Sequence, residues 1–223
     1  MVLLLLSGGL LDGDCVSINV EIEPGARLAL HNQAATQVHA GYSEQRLSAI
    51  VAEDAWFSYV PRALVPHAAA DHYATTRVSL AAGARALVAD SLSPGRVQFG
   101  ERFAYRQVRL ELDVHSAGEL VARERASIQP CAGLRRAQWG SFSHLATAYL
   151  VGPSEPPRPA DGGDTMRVGA TRLARGGWLV RALADRATAV DNLLVDLAAH
   201  WWRTCEAPDS GKAQAQVDAA NSP

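Results

Sequence analysis

The sequence predicts a mainly β protein, with stacked β-hairpins in a β-helix or solenoid-like arrangement and one amphipathic helix at the C-terminal end. Three observations carry that expectation. The segments VEIEPGARLAL, SAIVAEDAWFSYV and RVSLAAGARALVA each read as an alternating strand, a tight turn, an Ala and a second alternating strand. Their post-turn alanines, Ala26, Ala55 and Ala84, recur every 29 residues, as in a repeated unit that buries its apolar face only by stacking on the next copy. Finally, Val190, Leu193, Leu194, Leu197, Ala198 and Trp201 follow the i, i+3, i+4, i+7 spacing of one helix face.

From the N-terminus, MVLLLLSGGL sets four leucines before Ser-Gly-Gly and reads as a buried strand entering a turn. It is too short to span a membrane and lacks the basic n-region and small-residue cleavage site of a signal peptide. Pro24-Gly25 and Ala82-Gly83 are turn pairs in which Gly accepts a positive φ. The polar cluster His31, Asn32, Gln33 and Thr36 follows a strand, where catalytic groups often sit. RLELDVHSAGELVARERASI is a fourth hairpin, turning at Ala117-Gly118 slightly out of register. Residues 152–164, rich in Pro and Gly, form an exposed loop, and GGWLVRALAD forms one further strand. The helix covers 187–203, and 207–223 has too little to bury and reads as a disordered tail. Residues 1–206 thus make one domain; a β-sandwich with evenly spaced turns is the alternative architecture.

With 21 Lys plus Arg against 23 Asp plus Glu, the chain has no polycationic character to attract nucleic acid. Cys15, Cys131 and Cys205 are far apart and form no C-x-x-C pair, which argues against a disulfide framework or thiolate zinc site and for a reduced, cytoplasmic setting. Cys15 reads as a small buried hydrophobe. There is no G-x-S-x-G, H-E-x-x-H, Walker A or G-x-G-x-x-G motif. His67 and His72 in PHAAADHY fit neither a helix face nor strand alternation and read as loop residues; His31 and His39 read as half-exposed strand-end histidines.

Acids in or beside β segments are more informative: Asp14, Asp90, Glu101 and Glu124. Asp90, between Leu87-Val88 and Leu92, is expected to point inward. A buried unpaired carboxylate costs several kcal/mol, so Arg96 and Arg125 are candidate partners. Such acids could brace turns through Asp–Arg pairs. They could also supply the acid and base of a β-solenoid carbohydrate-active enzyme, whose carboxylates would stand about 5 Å apart or somewhat more. The five Trp and five Tyr, two of those Trp in the helix, give little of the aromatic platform such clefts use.

GGLLDGD, VEIEPGARLALHNQAATQV, EDAWFSYVPRALVPHAAAD, LVADSLSPGRVQFGERF and LVARERASI, in that order from about Ser7 to Ile128, resemble the motifs of the urease accessory protein UreD (UreH) family. GWLVRALAD and the following helix resemble its C-terminal part. The resemblance implies a largely β fold of stacked strands and a protein that is no enzyme, with no catalytic residue. It implies UreF, UreG (through UreF) and apo-urease as partners, with no nucleic acid or membrane. It further implies nickel delivery through an internal water-filled channel, with no tightly bound cofactor, only transient Ni2+. Carried over position by position, the channel-lining residues fall on Asp14, Thr36, Asp90 and Glu124. The structural motif residues fall on Gly8, Gly9, Gly13, Gly95, Arg96, Gly100, Glu101 and Phe103, and no metal ligand is firmly assigned. Departures from the family pattern are Asp12-Gly13 in place of a second Gly-Gly, Ser58 at an acidic position and Arg62 at a Gln. The family also has some tens of residues ahead of the Gly-Gly turn. The expectation is therefore an unpaired edge strand at the start, poor solubility alone, and as an alternative a degenerate relative that keeps the fold without the conduction.

Overall fold

The computed structural model describes residues 1–3, 8–130, 139–152, 157 and 163–206. Most of the expected 152–164 loop, the leucines after Leu3, Cys131 and the expected 207–223 tail lie outside the described residues. The strands are β1 (Val2–Leu3), β2 (Cys15–Ile22), β3 (Arg27–Asn32), β4 (Thr36–Val38), β5 (Gly41–Val51), β6 (Trp56–Tyr59) and β7 (Leu64–Pro66). They continue with β8 (Ala70–Leu80), β9 (Arg85–Leu92), β10 (Gln107–Ser116), β11 (Glu119–Ile128), β12 (His144–Val151), β13 (Met166–Arg172) and β14 (Trp178–Ala184). The helix, α1, runs Ala187–Glu206, starting where the apolar spacing begins and extending three residues past the expected 203.

The 29-residue period is a pairing period. Val20 of β2 pairs in parallel with Ala49 of β5, and Ala49 with Val78 of β8. Arg27 of β3 pairs with Trp56 of β6, and Trp56 with Arg85 of β9. The two strands around each early turn do not pair with one another, which corrects the expectation of stacked hairpins. β2, β5 and β8 belong to a five-stranded sheet ordered β11-β10-β8-β5-β2. β3, β6 and β9 belong to a nine-stranded sheet ordered β1-β3-β6-β9-β12-β14-β13, with β4 and β7 alongside. Each turn is an arch from one sheet to the other. The backbone gives the reason: the Gly25 N–H donates to the Glu53 carbonyl (2.9 Å) and the Asp54 N–H to Ala82 (3.1 Å), so each turn bonds to the turn one period on. Gly25, Asp54 and Gly83 occupy the same place in successive turns and all have positive φ (69°, 55° and 69°). Only the fourth unit is a true hairpin. Ala117 and Gly118 both have positive φ (49° and 82°), the condition for a two-residue turn between antiparallel strands, and β10 pairs antiparallel with β11. The sheets do not close on themselves. β12 and β13, absent from the sequence reading, extend the nine-stranded sheet as antiparallel strands around β14.

The central strands β6 and β9 of the nine-stranded sheet are buried on both faces and read as near-continuous apolar runs, whereas β8 alternates. Leu30, Leu47, Phe57, Val78, Val88, Leu112 and Tyr149 pack between the sheets. On the outer face, Trp56, Leu87 and Val180 meet Val190, Leu194 and Trp201 of α1, with Trp201 fully buried and edge-on to Trp56. A third cluster, Leu10, Val38, Leu92, Tyr105, Val108 and Trp139, lies at the end of the sheets where the long strands β5 and β8 begin. Between this cluster and the inter-sheet core the inward residues turn polar, and the site lies there.

Two glycines of the family motifs, Gly9 and Gly95, are fixed by close approach. Gly95 has φ 117° and a Cβ there would stand 2.5 Å from the Glu101 carbonyl oxygen and 2.9 Å from that of Pro66. Gly9, at φ 137°, lies equally close to Gln37. The Gly95 loop is held further by Arg96, whose Nε (2.9 Å) and guanidinium NH2 (2.5 Å) grip the Glu101 carboxylate, while Glu101 also accepts from the Ala68 N–H at 3.1 Å. Gly100, at φ 76°, has open space around it. Gly95→Ala is therefore expected to lower stability by roughly 3 kcal/mol, since it adds a steric clash to backbone strain, and Gly100→Ala by only about 1 kcal/mol. Urea unfolding midpoints of the two variants measure the difference.

Candidate functional site

Two cavities adjoin between the sheets and share Asp90 and Leu110 in their walls. The smaller, about 30 Å3, is lined by Asn32, Thr36, Gln45, Tyr59, His72 and Asp90 among others. The larger, about 340 Å3, is bounded by Asp90, Glu124, Thr147, Tyr149 and Arg181. Of the four residues expected to line a passage, Thr36 lines the smaller cavity, Glu124 the larger, and Asp90 both. Asp14 lines neither cavity. Its Oδ2 accepts from the Leu11 N–H (2.8 Å) and its carbonyl from the Glu44 N–H (2.8 Å), which ties the turn before β2 to β5. Asp12, the extra acid of the same turn, accepts from the Tyr42 N–H at 2.7 Å.

Strand register explains the convergence. Asp90 lies opposite Thr147 across the β9–β12 ladder, two residues beyond Val88 on the inward face. Glu124 lies opposite Leu112 in the β10–β11 hairpin, which turns its side chain inward as well. Neither arginine expected to answer Asp90 does so: Arg96 is held by Glu101, and Arg125 by Glu111 and Asp113. Among the described residues Asp90 makes no ion pair. Burial, then the negative charge of Glu124, push its carboxyl up to about 6. Glu124 is better compensated. Its Oε2 accepts from the Tyr149 hydroxyl at 2.5 Å and pairs with Arg181, whose side chain is half exposed at the cavity mouth.

On the other side of Asp90, Thr36 is buried and accepts from Asn32 Nδ2 at 3.0 Å, while Gln45 donates to the Tyr59 hydroxyl at 3.1 Å. His72 corrects the sequence reading. It lies within β8, fully buried, with Nδ1 3.0 Å from the Ser43 hydroxyl one strand away. Burial holds its imidazole neutral, down to about 4. His67 does precede a strand, but it is buried and Nε2 lies 2.9 Å from Gln37 Oε1. Cys15 is exposed at the first position of β2, where a buried hydrophobe was expected. The signal for His72 was present in the alternation Ala70, His72, Ala74, Thr76, Val78, Leu80. It was masked by the small residues of HAAAD, which carry little periodicity.

This set offers carboxylate, hydroxyl, amide and imidazole groups spread along a channel-like space. No group of three or more His, Cys, Asp or Glu among the described residues could hold a metal ion.

A family model described as UreD urease accessory protein matches residues 1–214. The chain is 30% identical over 216 residues to the urease accessory protein UreD of Herpetosiphon aurantiacus, covering 89% of this chain and 75% of that one. It is 32% identical over 191 residues to the UreD of Opitutus terrae, covering 80% and 70%. Against the UreD of Deinococcus radiodurans it is 32% identical over 195 residues, covering 83% and 70%.

Asp90, partly buried, and His72, fully buried, make stability depend on pH in opposing directions. Asp90 binds its proton more tightly folded (about 6) than unfolded (3.8), so its contribution is full below pH 3.8 and is lost as pH rises through 6. His72 is the reverse: its contribution is full above 6.5 and is lost as pH falls toward 4. Asp90→Asn removes the first effect alone. The variant is expected to gain on the parent between pH 4 and 6 and to exceed it at pH 7–8 by at most about 3 kcal/mol. Urea unfolding across pH 4–8 measures this; a difference that stays flat with pH would mean that Asp90 titrates normally.

Proposed function

The chain belongs to the UreD family of urease accessory proteins, and on that premise we propose that it is the scaffold of a cytoplasmic UreD–UreF–UreG complex. In this role it passes nickel to apo-urease through the space between its two sheets. It is an accessory protein and no enzyme, so the carbohydrate-active alternative falls away. The parallel coils of β2 to β9 are read as a short solenoid whose two stacked sheets wall the passage, with UreF at one end and apo-urease at the other.

The observation that carries the reading is the shared wall at Asp90: a cavity with Thr36 on one side and a cavity with Glu124 on the other, meeting at one carboxylate. A conduit has to bind its ion well enough to admit it and weakly enough to let it go. Single oxygen donors set apart along a wet space meet that demand, while a cage of thiolates and imidazoles would retain Ni2+. Glu124 adds a second feature. Arg181 already pairs with its Oε2, so an incoming cation exchanges with a tethered one, which weakens net binding and speeds release. No helix among the described residues is long and apolar enough to cross a membrane.

Co-expression with the UreF of the same organism, followed by pull-down and size-exclusion chromatography, is expected to give a soluble stoichiometric complex. In that complex Asp90→Ala and Glu124→Ala should retain UreF while urease activation falls about tenfold, the order expected for loss of a group that stabilises a passing charge by roughly 1.4 kcal/mol. A folded chain that never captures UreF would sink the scaffold reading. Variants that bind UreF and activate urease normally would sink the passage.

A further inference from the structure

Oxygen donors alone leave a difficulty: carboxylates, hydroxyls and amide carbonyls accept Mg2+ and Ca2+ as readily as Ni2+. The small cavity contains the one kind of donor that separates them. His72 is fully buried on the inward face of β8, and its Nε2 has no hydrogen-bond partner among the described residues. The same holds for Asn32 Oδ1, and both residues line the same cavity beside Thr36 and Asp90. Buried polar atoms are almost always satisfied, and each orphan costs about 1–3 kcal/mol. Two orphans on residues lining one small polar space therefore mark a place built for an occupant. A volume of about 30 Å3 admits one or two water-sized ligands at the roughly 10–15 Å3 each requires.

We infer that His72 is the selectivity element of the passage: Nε2, with Asn32 Oδ1 and water completing the shell, gives a transition-metal divalent cation one dwell position that Mg2+ and Ca2+ do not share. The inference rests on the passage reading and deepens it. Ser43, 3.0 Å from Nδ1, does what a second partner does for a ligating histidine. In the tautomer whose Nδ1–H donates to that hydroxyl, Nε2 keeps its lone pair for a ligand and the ring is fixed. Imidazole nitrogen favours Ni2+ over the hard alkaline-earth ions, and a single imidazole among neutral oxygens stays far from the multi-nitrogen cage that would trap it. Asp90, in the wall shared with the larger cavity, supplies the next station. The cation passes from an imidazole-and-amide position to a carboxylate position without crossing apolar surface.

The test uses the full chain in complex with UreF. Histidine-ring nitrogen shifts are followed by long-range 1H–15N NMR as Zn2+, a diamagnetic stand-in for Ni2+, is added, and again with Mg2+. The His72 Nε2 resonance is expected to move with Zn2+ and to stay put with Mg2+. In parallel, equilibrium dialysis compares Ni2+ and Mg2+ binding by the parent, His72→Gln and Asp90→Asn. His72→Gln is expected to weaken Ni2+ binding at least tenfold and leave Mg2+ binding within twofold, which also reports an intact fold; Asp90→Asn should weaken both ions. An unmoved His72 resonance, or equal loss of both ions in His72→Gln, overturns the selectivity role. If Asp90→Asn still loses both ions in that case, the passage itself stands. If neither ion binds the parent at all, both readings fail together.

Discussion

The parallel backbone ladder between equivalent coils holds this molecule together, and its repeat length constrains everything else. Because Val20, Ala49 and Val78 are bonded neighbours in one sheet while Arg27, Trp56 and Arg85 are neighbours in the other, each coil must contain the same number of residues. One insertion within a coil would flip every later side chain to the opposite face. The turns obey the same constraint. Gly25, Asp54 and Gly83 stack in one column with positive φ; each turn closes on itself through the N–H of Ala26, Ala55 or Ala84, and Gly25 and Asp54 also donate to the turn one period on. That column sends the chain to the facing sheet and leaves a space between the sheets whose lining is set purely by which residues alternate inward.

Most of that space is filled. Phe57, Val78, Val88 and Leu112 close it with apolar contacts, and the second core beneath α1 buries the far side of the nine-stranded sheet. Toward the starts of β5 and β8 the same inward positions carry Ser43, Gln45 and His72, faced by Asn32, Tyr59 and Asp90. In energetic terms this is a poor core: orphaned polar atoms and a carboxylate whose proton affinity is raised by burial all detract from stability. A fold under no other demand would place Leu or Val there. The surrounding apolar clusters and the continuous ladders offset the cost, and the polar region persists as a defined lining because its walls are strands held on both edges.

Charge is distributed differently along the space. Asp90 stands without a cation, whereas Glu124 is met by both Tyr149 and Arg181. The inner carboxylate, its proton affinity raised, is thus responsive to any approaching positive charge. The outer one is already engaged. An attracting group inside and an already occupied group at the mouth form a gradient in available negative charge, and the gradient arises from two register positions, opposite Thr147 and opposite Leu112.

Several features were legible in the sequence because they depend on local periodicity. The strand alternation, the 29-residue spacing of Ala26, Ala55 and Ala84, the φ demand at Gly25 and Gly83, and the apolar face from Val190 to Trp201 all come from spacings of a few residues or from a repeat that equal coil lengths enforce. The family motifs placed Thr36, Asp90 and Glu124 on one list without any geometry. Tertiary structure decided the remainder. An alternating strand, a tight turn and another alternating strand look the same whether the strands pair as a hairpin or arch between sheets, because alternation records burial and not the bonding partner. Arg96 and Arg125 went to Glu101 and Asp113 because side-chain pairing follows loop and ladder neighbours that sequence distance does not reveal. His72 became a buried cavity residue because the register of β8 against β5 set it beside Ser43. The sequence by itself determined the coil length, the turns and the helix, since these are fixed by the chain's local period. Only the folded sheets decided which polar groups share one space, since that depends on register between strands tens of residues apart.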